Sequence, residues 1–71
     1  MKTPTEEALA LIEGYGKLII AFDGETSYEY DQECALIYIN GKIQEVKKFK
    51  GYMSRKRVEE LEKIKLEIER L

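Results

Sequence analysis

Two dipeptides constrain this chain most. Asp23-Gly24 and Asn40-Gly41 each follow a short apolar run. Such pairs supply the positive backbone angles that a two-residue hairpin turn demands. Read this way, Lys17 to Phe22 is a strand, with Leu18, Ile19, Ile20, Ala21 and Phe22 almost continuously apolar. Cys34 to Ile39 is a second strand, apolar on both faces and hence central. Asn40-Gly41 returns the chain into a partner strand over 42–49, with Ile43 opposite Tyr38. Between them, residues 25–31 alternate: Thr26, Tyr28 and Tyr30 share one side, and Ser27, Glu29 and Asp31 the other. That segment reads as a further strand or as an acidic loop.

Helices flank this meander. Thr3-Pro4-Thr5-Glu6 holds a capping residue, a proline suited to the first turn, and a glutamate that completes a capping box. The spacing of Ala8, Leu9, Leu11 and Ile12 predicts a helix over 4–13, ended at Gly14 or Gly16. Ser54 is the expected cap of a second helix over 54–71, in which Val58, Leu61, Ile64, Ile68 and Leu71 form one apolar stripe. Glu59–Lys63 and Lys65–Glu69 are spaced for helix-supporting pairs. Leu61, Ile64, Ile68 and Leu71 also fit two heptads of a coiled-coil seam. A stripe lying over the sheet is the preferred reading, and Leu66 points away from it. The expected fold class is α+β: helix, antiparallel meander of three or four strands, helix, as a single domain over 1–71. Leu18, Ile20, Leu36, Ile37, Val58, Leu61 and Ile64 are the expected core.

At 71 residues the core is thin, and small chains are commonly stapled or oligomeric. A single cysteine, Cys34, excludes an internal disulfide, and with no histidine a zinc site is not expected. A homodimer is therefore expected. Reduced cysteine use and the lack of a membrane-length apolar run or leader peptide suggest a cytoplasmic protein with no membrane partner.

Net charge is −2, but it is segregated. Residues 1–46 carry −6, residues 47–57 carry +6, and residues 58–71 carry −2. Lys47, Lys48, Lys50, Arg55, Lys56 and Arg57 make up the basic stretch, with Phe49 and Tyr52 among them. Three of those cations fall in the first turn expected after Ser54, where the helix dipole disfavours them. A local rule broken without evident structural gain marks a functional candidate. Lysine and arginine in such density, interleaved with aromatics, suit a nucleic-acid phosphate backbone with rings stacking on bases. The expected nucleic-acid-binding residues are Lys47, Lys48, Lys50, Tyr52, Ser54, Arg55, Lys56 and Arg57. The plainer reading is a solvated rim paired with the acidic segment or a partner subunit, with Phe49 and Tyr52 in the core.

The acidic segment offers an alternative protein-binding surface through Glu25, Tyr28, Glu29, Tyr30 and Asp31, as in a phage- or virus-encoded accessory or inhibitor protein. Its glycine is misplaced for a calcium loop. No cysteine–histidine nucleophile is possible, and Gly14-Tyr15-Gly16 follows a helix rather than a strand, so an enzyme and a cofactor are not expected. Cys34 reads as a buried, inert thiol.

Asn40-Gly41-Lys42 and Ser54-Arg55-Lys56 together resemble the double-stranded-RNA-binding domain, an α-β-β-β-α unit whose last helix opens with a phosphate-clamping basic motif. Ser54, Arg55 and Lys56 match that motif in kind, Val58 stands for its small apolar residue, and Glu59 replaces its last lysine. The family's minor-groove loop corresponds to Asp23–Glu33, which is acidic here. The resemblance implies an α+β fold and double-stranded RNA as a possible ligand.

Overall fold

The computed structural model describes residues 2–71, and among them there is no strand. Three helices follow one another: α1 Pro4–Asp23, α2 Tyr28–Lys47 and α3 Tyr52–Arg70. They pack as an up-down-up bundle, each helix against the other two. The fold is all-helical, so the expected α+β meander is corrected, and with it the likeness to the double-stranded-RNA-binding domain. That domain grips its ligand from a sheet-backed helix, and no sheet exists among the described residues.

The first helix begins as expected. Thr3 Oγ1 accepts from the Glu6 amide at 3.2 Å, Pro4 opens the first turn, and Glu6 and Glu7 place negative charge at the positive end of the dipole. It does not stop at Gly14 or Gly16 but runs ten residues past Glu13 to Asp23. The run from Lys17 to Phe22 is thus helical. A short apolar run is ambiguous between strand and helix, and here Ala8, Ile12, Tyr15 and Ile19 at helical spacing decide it. Asp23-Gly24 does mark a turn, of a different kind: Gly24, at φ 85°, ends the helix in the left-handed conformation, its amide donating to the Ile20 carbonyl at 2.9 Å.

The second helix occupies the stretch expected to hold two or three strands. Ser27 caps it, accepting from the Tyr30 amide at 3.3 Å. Ala35, Ile39 and Ile43 recur every four residues and are buried. The alternation over 25–31 and the Asn40-Gly41 signal are both overridden, and Gly41 sits in mid-helix with open space where a Cβ would be. In α3 the expected stripe holds for Leu61, Ile64 and Ile68, with Val58 packed at its edge. Leu66 is exposed, as its place off the stripe requires. The expected Glu59–Lys63 and Lys65–Glu69 pairs are not formed; the described ion pairs are the i, i+3 contacts Lys42–Glu45, Arg57–Glu60 and Glu67–Arg70.

Ala8, Ile12, Ala35, Ile39, Ile43, Leu61, Ile64 and Ile68 form one core drawn from all three helices. The sequence-based core is corrected in part. Leu18, Ile20 and Ile37 are exposed, Leu36 and Val58 lie at the edge, and only Leu61 and Ile64 are fully buried. Gln32 Nε2 donates to the Ile68 carbonyl, tying the start of α2 to the end of α3.

Candidate functional site

The basic stretch wraps one end of the bundle. Lys47 is the last residue of α2, Lys48 its C-cap, and Phe49, Lys50 and Gly51 form the connection to α3. Two helix ends with opposite electrostatic demands meet here. Lys47 and Lys48 suit the negative end of α2. Arg55 closes the first turn of α3, while Lys56 and Arg57 lie beyond it, so the expected clash of three cations with the helix's positive end is reduced to one.

That start differs from the other two. Thr3 and Ser27 cap α1 and α2 with side chains, and acidic residues fill both first turns. In α3 the N-cap is Gly51, at φ 143°, with no side-chain cap bond and no acid in the first turn. Ser54, expected to be the cap, is instead the third helical residue and half-buried. Gly51, at a positive φ that favours glycine, is the residue before the helix, so the cap falls three residues before Ser54. The amides of its first turn have no side-chain acceptor and are open to an anion.

Phe49 and Tyr52, core residues in the plainer reading, are 67% and 74% exposed. Met53, absent from the residues expected at this site, is exposed beside them. Its signal was there: an apolar residue inside a dense run of cations. Lys56 Nζ stands 5.9 Å from the centre of the Tyr52 ring, a cation–π contact. Val46, Lys47, Phe49, Ser54, Arg55, Val58 and Glu59 line a shallow recess of about 310 Å³, apolar at its floor and basic at its rim apart from Glu59.

Not every expected residue belongs to this tip. Arg57 pairs with Glu60 at 3.2 Å and lines a separate groove between the helices with Glu7, Leu11, Tyr38 and Lys42. Lys47, Lys48, Lys50, Arg55 and Lys56 take part in no ion pair among the described residues. The acidic segment cannot neutralise them from within the chain. It lies at the other end of α2, whose 20 residues span about 30 Å.

That opposite end holds Glu25, Tyr28, Glu29 and Tyr30, all exposed. Asp31 does not join them as a surface group. It is 7% exposed, accepts from Thr26 Oγ1 at 2.6 Å, and lies against Gly16 of α1. Its role is internal, so the expected protein-binding set loses this member. Tyr15 and Tyr38 lie with ring centres 6.3 Å apart, and burial, with Tyr38 and Cys34 nearby, raises the Tyr15 hydroxyl above its ordinary 10.0. Cys34 is half-buried on α2 rather than enclosed in a strand.

The described residues hold no group of three potential metal ligands, and no helix among them is long and apolar enough to cross a membrane. Compared with protein-family models, with curated proteins and with solved structures, the chain finds no match.

Proposed function

We propose that this chain is a non-enzymatic nucleic-acid-binding protein of the cytoplasm that grips a phosphate backbone with the α2–α3 tip. One observation carries the reading: five cations without an acidic partner among the described residues surround two aromatic rings left open to solvent. Each half of that arrangement is costly alone. Burying a Phe or Tyr side chain stabilises a fold by about 1.5–3 kcal/mol, which Phe49 and Tyr52 forgo. Arg55, in the first turn of α3, opposes its dipole. A polyanion offsets both, because phosphates neutralise the cations and bases cover the rings. Open rings at a tip, with no groove-sized helix face free of acids, favour single-stranded nucleic acid over a duplex.

The test is fluorescence anisotropy with labelled single-stranded and duplex oligonucleotides at two salt concentrations. Each phosphate-contacting cation contributes about 0.7 to the log–log salt slope on single strands. Arg55→Ala with Lys56→Ala is expected to flatten that slope by up to about 1.4 units and to weaken binding evenly across sequences. Tyr52→Ala is expected to weaken binding by about 1–3 kcal/mol while leaving the slope in place. No binding by the wild type at about 50 mM salt, or an unchanged slope in the double variant, overturns the reading. A protein partner on the opposite, acidic end is the second reading, favoured by the exposure of Tyr28 and Tyr30. It predicts that Tyr28→Ala and Tyr30→Ala abolish partner capture while the basic tip can be changed freely.

A further inference from the structure

Glu59 is the one acid on the rim of the basic recess, and it works against a polyanion. It stands four residues after Arg55 and four before Lys63, yet it takes part in no ion pair among the described residues. The order of Arg55 before Glu59 is the weaker one for a helical pair. Glu59 lines the recess of about 310 Å³ together with Phe49, Ser54 and Val58. It also lines a second recess, of about 240 Å³, with Tyr52, Arg55 and Lys56. Arg55 belongs to both as well. The two hollows thus share a cation and a carboxylate one helical turn apart, and each holds one aromatic ring. They differ in what the ring can receive. Lys56 Nζ already stands over Tyr52, at 5.9 Å. Phe49 is open to solvent and shares its hollow with the apolar side chains of Val46 and Val58.

An unpaired base is recognised by stacking on an aromatic ring and by hydrogen bonds along its Watson–Crick edge. An ionised carboxylate can only accept, through two oxygens. The four bases meet it differently. Guanine alone offers two adjacent donors, N1–H and the N2 amino group. Adenine and cytosine place an acceptor nitrogen beside their single amino group, and uracil flanks its one N–H with two carbonyls. Each of those three sets lone pairs against a carboxylate. We propose that the Phe49 recess is a guanine-selective base site for single-stranded nucleic acid, in which the base stacks on Phe49 and donates from N1–H and N2–H to Glu59. The phosphate beside that base falls to Arg55, which lines the same recess. This inference rests on the nucleic-acid reading of the tip and adds base choice to it. It also gives the lone acid a role: Glu59 weakens backbone attraction for every sequence and offsets that loss for one base alone.

The experiment is fluorescence anisotropy with short labelled oligouridylates, either all uracil or carrying one central guanine, adenine or cytosine, at two salt concentrations. Wild type is expected to bind the guanine oligonucleotide about fivefold or more tighter than the other three. Replacing that guanine by inosine, which keeps N1–H and lacks the N2 amino group, is expected to lose most of the margin. Glu59→Gln is expected to bring the guanine oligonucleotide level with the rest and to tighten binding of the all-uracil one, since a negative charge leaves the rim. Its helical circular dichroism is expected to be unchanged, because Glu59 is exposed and makes no ion pair among the described residues. Phe49→Ala is expected to weaken the guanine oligonucleotide most and to leave the salt slope in place. Salt-dependent binding with equal affinity for all four oligonucleotides, or with preference for another base, overturns the guanine site and leaves the backbone reading standing. So does a guanine preference that survives Glu59→Gln or is indifferent to inosine. No salt-dependent binding of any oligonucleotide overturns the backbone reading, and the guanine site with it.

Discussion

Gly16 and Asp31 hold α1 and α2 at close range. A Cβ on Gly16 would stand 2.6 Å from Asp31 Oδ2. Glycine in mid-helix costs about 1 kcal/mol relative to alanine, so the site keeps it against propensity. The carboxylate it admits accepts the Thr26 hydroxyl and sits in the first turn of α2, where the dipole favours it. Gly16→Ala is therefore expected to destabilise by about 1–3 kcal/mol in urea titration, because the buried carboxylate has to move. In an Asp31→Ala background the same change is expected to be neutral or stabilising by up to about 1 kcal/mol, since only propensity then acts. An equal effect in both backgrounds would sink this account. The sequence held all three residues, but nothing in it joined Gly16 to a position fifteen residues on. Asp31 read as one of a run of surface acids, and its burial depends on the α1–α2 packing alone.

At the scale of elements, the places where chain direction changes were more legible than the elements between them. Thr3-Pro4-Thr5-Glu6 marked a true helix start, Asp23-Gly24 a true break, and the α3 stripe a true buried face. The misreadings share one cause. Residues 17–22 and 34–39 are short apolar runs, and such runs fit a central strand as well as one flank of a helix. Asn40-Gly41 then tipped the balance toward hairpins. The longer pattern over α2, Ala35-Ile39-Ile43 with Val46, was the signal that outweighs a two-residue turn, and it shows only in a window that spans the dipeptide. This gives a direct test. Gly14 and Gly41 lie inside helices, a Cβ at either would meet nothing within 4 Å, and neither has positive φ. Gly14→Ala and Gly41→Ala are each expected to stabilise by about 0.5–1 kcal/mol, measured at dilution so that self-association does not enter. In a hairpin Asn40-Gly41 would need positive φ at the glycine, and Gly41→Ala would destabilise instead. A lowered urea midpoint for Gly41→Ala thus contradicts the helix. The basic tip was legible as a composition, while its uncapped start at Gly51 was not, because Ser54 offered a plausible cap three residues later.

The whole molecule is a thin bundle, 43 × 21 × 19 Å, held by one cluster of eight buried apolar residues. Its halves differ in charge rather than in fold: the acidic end is built on the α1–α2 turn and the basic end on the α2–α3 turn. Stability of about 0.05–0.15 kcal/mol per residue gives a chain of this length roughly 4–10 kcal/mol. No helix stands alone on that scale, since most helical stability in a folded chain comes from packing of its apolar face. Ile39 lies at the middle of α2, 1% exposed within the cluster shared by all three helices. Ile39→Ala is expected to cost about 2–5 kcal/mol through lost transfer energy and the cavity left behind. That is a large share of the total, so the melting temperature is expected to drop sharply. Unfolding is expected to remain a single transition, with far-ultraviolet circular dichroism and the near-ultraviolet signal of Tyr15 and Tyr38 lost together. A variant in which the tyrosine signal melts well before the helical signal would show that the α1–α2 face and the core are separate cooperative units. Loss below about 1 kcal/mol would show that Ile39 does not fill the shared core. Leu66→Ala, at an exposed site on α3, serves as the control and is expected to change stability by no more than about 0.5 kcal/mol.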